Sequence, residues 1–272
     1  MPVDETASVT MPLMVSSSYR MTVLAAALAA GLVACAGSPQ GGERLTASAP
    51  SSSGTATSAA RTGVSNGKTY MVDRSASDGA ATSGSWSLVM DTISGGDPQV
   101  AEAFNDAVHA AARGLLDDAT RGAKPQSQWT FETSPQIFFT AASISALISG
   151  TYNDETAAHS AGSVINVVID SRSARPITLS ELFTDDQAGL NRISEQSKIL
   201  LPPAMGATAT PMPNIPGNKP LLENFDSWIP TPAGLEIHFA DYQFIHGTPV
   251  ITVPWAAIDD LLAPGMEALR QP

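Results

Sequence analysis

The chain has 272 residues, 43% hydrophobic and 15% charged, enough apolar material for one large domain or two small ones. With 26 acidic residues against 14 Lys and Arg, its formal charge is −12. That balance argues against binding a phosphate backbone, which needs clustered cations. The single cysteine excludes an intramolecular disulfide framework.

Residues 1–19 are polar and aperiodic, and Met11, Met14 and Met21 are alternative starts within or just after them. Arg20 precedes an apolar run, 21–34, of signal-peptide length, shorter than the ~20 residues a membrane span needs. The run ends in Leu32-Val33-Ala34-Cys35, followed by Ala36-Gly37-Ser38. This ending resembles a bacterial lipobox. The lone thiol stands where a diacylglyceryl thioether forms, and cleavage makes Cys35 the acylated first residue. Acyl chains such as palmitate would then hold the protein to the membrane, each buried methylene contributing about 0.8 kcal/mol. Residues 1–35 are therefore expected to be a signal peptide with lipobox, placing the chain on the outer face of the cytoplasmic membrane. Residues 36–67 are rich in Ser, Thr, Ala and Gly and read as a disordered tether.

A single domain is expected from 68 to 265, with a short tail at 266–272. Residues 70–72 and 85–93 read as strands separated by a Gly/Ser/Ala loop. Asp97-Pro98 caps and opens a long helix with the apolar stripe Val100, Phe104, Ala107, Val108, Ala111, Leu115 and Leu116; Gly122 ends it. Strands follow at 129–132, 136–141, 143–152 and 163–169. The last is apolar nearly throughout, which predicts a strand central in its sheet. Thr178-Leu179-Ser180-Glu181 fits a capping box. Asp185-Asp186 starts a second helix with Leu190, Ile193 and Leu200 on one face. From Pro202 to Pro220 six prolines forbid regular helix, so 201–221 is expected to be a long loop.

Leu235, Ile237 and Phe239 alternate with Glu236 and His238, the period of a half-buried strand. Tyr242 and Phe244 continue in an extended run. His246-Gly247-Thr248-Pro249 is a turn and 250–253 a second strand. Pro254 opens a short helix with Trp255, Ile258, Leu261 and Leu262 facing inward, stopped by Pro264-Gly265. The fold class is α+β, an antiparallel or mixed sheet packed by one long helix and shorter ones.

The run Phe225, Gly234, Leu235, Ile237, Phe239, Tyr242, Ile251, Val253, Pro254 and Trp255 resembles the end of the RsiV-like domain of unknown function. That domain forms the outer part of lysozyme-sensing anti-sigma factors and accompanies some cell-wall deacetylases. The run is also similar to the secreted MPT-type antigens of mycobacteria. The segment 176–185, Pro-Ile-Thr-Leu-Ser-Glu-Leu-Phe-Thr-Asp, matches the same domain. The resemblance covers 152–262. It implies an envelope ligand: a wall glycan, a lipid or glycolipid, or a protein such as lysozyme.

Within it, Tyr152 through Gly162 corresponds to a family loop with an aromatic residue followed by Gly-Ala-His-Gly. Here Ala158-His159-Ser160 stands in its place. His159 either lines a ligand surface or bonds backbone at a strand end. Tyr152, Trp228 and Tyr242 are the aromatic candidates for sugar stacking or protein contact, with the core as the competing placement. Ala158-x-Ser160-x-Gly162 falls one residue short of a hydrolase elbow, and a strand follows Ser160 where the elbow needs a helix. His159 and Ser160 are thus only weak catalytic candidates. No metal motif, phosphate loop or cofactor signature is present. The expected function is binding, with an envelope esterase as one alternative and a membrane-bound, anti-sigma-type sensor as another.

Overall fold

The computed structural model describes residues 61–207 and 210–272. The expected signal peptide, Cys35 and most of the segment read as a tether lie outside the described residues. No helix among the described residues is long and apolar enough to cross a membrane.

The protein is α+β. A six-stranded sheet runs in the order β1 (Arg61–Ser65), β2 (Lys68–Ala81), β3 (Gly84–Gly95), β4 (Trp129–Phe139), β5 (Ser143–Asp154), β6 (Ala161–Asp170). All neighbours are antiparallel except β3 and β4, which run parallel. A parallel pair needs a long crossover, and α1 (Pro98–Gly122) supplies it. Asp97 caps α1 by accepting from the Gln99 N–H at 3.0 Å. Val100, Phe104, Val108, Ala111, Ala112 and Leu115 bury along one stripe of the helix. They meet Tyr70, Phe131, Ile144, Ile148 and Ile169 of the sheet in one core cluster. Each such side chain contributes roughly 1.5–3 kcal/mol by leaving water.

A second cluster forms around α2 (Asp186–Ala204) and a three-stranded antiparallel sheet, β7 (Trp228–Thr231), β8 (Gly234–His238) and β9 (Val250–Pro254). Ile193, Leu201, Phe225, Trp228, Leu235, Ile237, Phe239 and Val253 are its centre. β6 serves both clusters: Val167 and Ile169 face α1, while Val168 faces the second. β6 is the edge strand of its sheet, not the central one its continuous apolar run predicts; the run reflects cover by a cluster on each face.

Several expectations need correction. The first strand begins at Arg61, inside the segment read as tether, because Arg61 and Arg74 both bond the buried Asp91 at 2.7–2.8 Å. The small residues at 76–81 do not interrupt β2; backbone pairing with β3 carries them to a turn at Ser83, whose φ is +62°. β4 also runs unbroken through Pro135. β3 pairs it only from Trp129 to Glu132, so Pro135 sits where the edge away from β5 has no strand partner and its missing N–H costs no ladder bond.

The second helix runs on through Pro202 and Pro203. Pro202 deprives the Lys198 carbonyl of its helical donor, and the Met212 N–H takes that place at 2.8 Å. The proline segment is pinned to α2, not free: Asn218 is wholly buried, and its carbonyl accepts from Ser194 Oγ at 2.6 Å. Beyond Pro254 the chain makes 3-10 turns, Trp255–Ala257 and Asp259–Leu261, with only Trp255 and Ile258 of the four inward positions buried. The tail is part of the fold. Met266–Arg270 is a 3-10 helix with Leu269 fully buried, and the Gln271 carbonyl accepts from the Ala141 N–H at 2.9 Å.

Candidate functional site

Two loops meet at one end of the molecule: the turn between β5 and β6, which carries His159 and Ser160, and the connection from β8 to β9. Their junction is Asp241. Its carboxylate accepts from the Gly162 N–H at 2.9 Å, from the Gly247 N–H at 2.6 Å and from His246 Nδ1 at 3.1 Å. Burial alone would push this carboxyl up. The two backbone donors and the imidazole outweigh it and hold the group below the ordinary carboxylate value. An ionised carboxylate only accepts, so His246 carries a hydrogen on Nδ1. Gly247 has φ +108°, a conformation open to glycine and costly for other residues.

This clasp supports a column of rings. Tyr242 stacks on His246 with centroids 5.0 Å apart and planes at 28°. His246 in turn lies 5.2 Å from His159, tilted by 33°. Tyr242 is 57% exposed, and Ile245 beside it is 44% exposed. Tyr242 is not part of an extended run, as its sequence context predicts. It adopts φ +62°, a left-handed conformation costing a non-glycine residue roughly 1–2 kcal/mol. The Tyr242 N–H donates to the Ile245 carbonyl at 2.9 Å and closes the tight turn. Below it Phe244 turns inward onto Phe239, edge to face at 5.0 Å. Thus one loop packs a partly buried Phe244 against the core and displays Tyr242.

Of the four binding candidates, the structure brings together His159 and Tyr242, 83 residues apart in sequence, and sends the other two inward. Trp228 is 2% exposed, at the centre of the second cluster. Tyr152 stacks on Trp129 at 5.9 Å, and its hydroxyl is buried without a hydrogen-bond partner among the described residues. Burial, and then the nearby Asp154, raises its pKa. Trp228 belongs to the core, and Tyr152, half-buried, packs against the first cluster. His246 and Asp241 were not singled out from sequence. The legible signal was the crowding of Tyr242, His246, Asp241 and Gly247 into seven residues.

Ser160 is exposed and directly precedes β6, and no histidine bonds to it among the described residues. His238 bonds Glu236 at 2.8 Å on β8 instead. No three His, Cys, Asp or Glu side chains converge in a metal-binding arrangement among the described residues. Stacked ring faces suit the apolar face of a sugar, a cation or another aromatic group.

No protein-family model matches the chain, and no curated protein matches its sequence. Among solved structures it is similar to a DUF3298 family protein of Pseudomonas aeruginosa PAO1, with a TM-score of 0.50 and 13% identity, over 72% of this chain and 95% of that one. A member of the same family from Bacteroides fragilis gives a TM-score of 0.48 at 10% identity, over 74% of this chain and 97% of that one. DUF3298 proteins are related to RsiV-like domains. At such identity the likeness to the first is one of fold.

Proposed function

We propose that the chain is an exported, lipid-anchored binding protein of the cell envelope, and that Tyr242, His246 and His159 form its contact surface. The observation that carries this reading is the ring column itself. A tyrosine held in a strained backbone conformation and left mostly exposed has no packing role that accounts for its cost. The clasp at Asp241 fixes the rings in advance, so little ordering is left to oppose binding. A wall glycan stacking a sugar face on Tyr242 suits the geometry best; a glycolipid or an envelope protein such as lysozyme is the other partner class. The lipobox-like run ending at Cys35 supports the anchor.

The test is calorimetric titration with solubilised wall glycans, then glycolipid and lysozyme, with ester hydrolysis followed on the same sample. Saturable binding that falls at least tenfold in Tyr242→Gly and His159→Ala is expected, without turnover. Turnover lost in Ser160→Ala would replace this reading with the hydrolase. For the anchor, the mass of the membrane-extracted protein should show a chain starting at acylated Cys35, and Cys35→Ala should release it. A mass showing an uncleaved chain would favour the sensor.

A further inference from the structure

β6 is the last strand of its sheet, and its free edge is closed at both ends but open in the middle. Its even-numbered residues turn their backbone groups away from β5. The Gly162 N–H donates to Asp241, the Val164 carbonyl accepts from Ser227 Oγ, the Val168 carbonyl accepts from the Ile177 N–H, and the Asp170 N–H donates to the Arg175 carbonyl. Asn166 shares that outward orientation. Its N–H and C=O have no hydrogen-bond partner among the described residues.

Asn166 lines a groove of about 330 Å³. Its walls are Val168, Ile177, Leu179, Leu222 and Trp228, and Asp226 also lines it. The Asn166 side chain is itself engaged, donating to the Trp228 carbonyl at 2.6 Å. Asp226 is an exposed residue of the groove lining. Burial first, and the charge of Glu223 second, push that carboxyl above its ordinary value. No cation pairs with Asp226 among the described residues.

We propose that this groove binds one extended peptide segment carrying a basic side chain, which pairs with Asn166 as a single β rung and sets its cation against Asp226. The N–H and C=O of Asn166 flank one Cα and point the same way, and an extended residue presents the matching pair. A single acetamido group does not, since its N–H and C=O point in opposite directions. Apolar walls take the neighbouring side chains, and the negative charge of the protein as a whole favours a basic partner. Sheet-to-sheet pairing between two copies is refused, because the strand is capped on both sides of the opening.

The experiment uses the full chain, 15N-labelled, and two blocked heptapeptides: one alternating valine with lysine, the other valine with glutamate. The lysine peptide should bind saturably, shift the Asn166 amide resonance and protect it from exchange. The glutamate peptide should bind at least tenfold more weakly. N-methylation of the central peptide groups should weaken the lysine peptide to a similar degree. Asp226→Asn, nearly the same in shape, should remove most of the difference between the peptides. Tyr242→Gly should leave all of this unchanged, which separates the groove from the ring column. Equal binding of both peptides, indifference to N-methylation, no saturable binding by the lysine peptide, or an unmoved Asn166 resonance would each overturn the proposal.

Discussion

Residues 228–254 contain two kinds of aromatic residue that the sequence alone does not separate. Trp228 and Phe239 lie on or at the end of strands and are sealed in the second core cluster. Tyr242 and His246 lie in the loop joining two of those strands and stand in solvent. The strands place their side chains by pleat and register, so burial follows from alternation. The loop places its own by a single buried carboxylate, Asp241, and a strained tyrosine. One region is held by many small apolar contacts, the other by a few directed bonds, and they should fail in different ways.

The largest effect is expected where the strands are emptied. Trp228→Ala should cost about 3–5 kcal/mol of unfolding free energy, from lost transfer and the cavity left behind. Urea unfolding measures it, and the molecules still folded should keep the ring column's ligand affinity. A cost below about 1 kcal/mol would mean that the second cluster is not packed as described.

Acid should act on the directed bonds. Asp241, Asp91 and Asp154 are all held below the ordinary value of 3.8, Asp154 down to about 2. For Asp154 the bonds from Ser127 and Thr156 are the cause. For Asp91 burial opposes the shift, and Arg74 and Arg61 outweigh it. A carboxyl lowered by folding contributes stability that is complete above its unfolded value and lost as pH falls through the folded one. The urea midpoint should therefore change little through these groups between pH 8 and 5, and fall steadily from about pH 4 to about 2. Asp241→Asn should be weaker at neutral pH and lose less on acidification. A variant with the parent's full acid dependence would show that Asp241 is not one of the linked groups.

The smallest stability change, and the most diagnostic, is Tyr242→Gly. Glycine accepts φ +62° without the tyrosine's penalty, so the stability gain should be at most about 1 kcal/mol, offset by the lost stacking on His246. Thermal or urea unfolding should show almost no loss. A clear destabilisation would assign Tyr242 to packing and remove the strongest reason for treating it as a contact residue.

What the sequence disclosed follows the same division. The stripe from Val100 to Leu115, the alternation at 235–239 and the cap at Asp97 are local patterns with one physical solution, and the structure adopts it. The hairpin arm at 76–81 was not legible, because small exposed residues pair through backbone and leave no hydrophobic signature. Pro202 misled because its cost was removed by a distant donor, Met212. The ring column was half legible. His159 and Tyr242 stood out singly, but the bond from Gly162 to Asp241 spans 79 residues, and no local rule reports such a contact.

The central claim is that the exposed rings bind and the buried ones only pack. The most direct measurement is titration of the wild-type chain, Tyr242→Gly and Trp228→Phe with the same solubilised wall glycan. Trp228→Phe is chosen because it keeps most of the core volume. Affinity should fall at least tenfold in Tyr242→Gly and stay within twofold in Trp228→Phe. Equal affinity for all three, or loss only in Trp228→Phe, would contradict the claim.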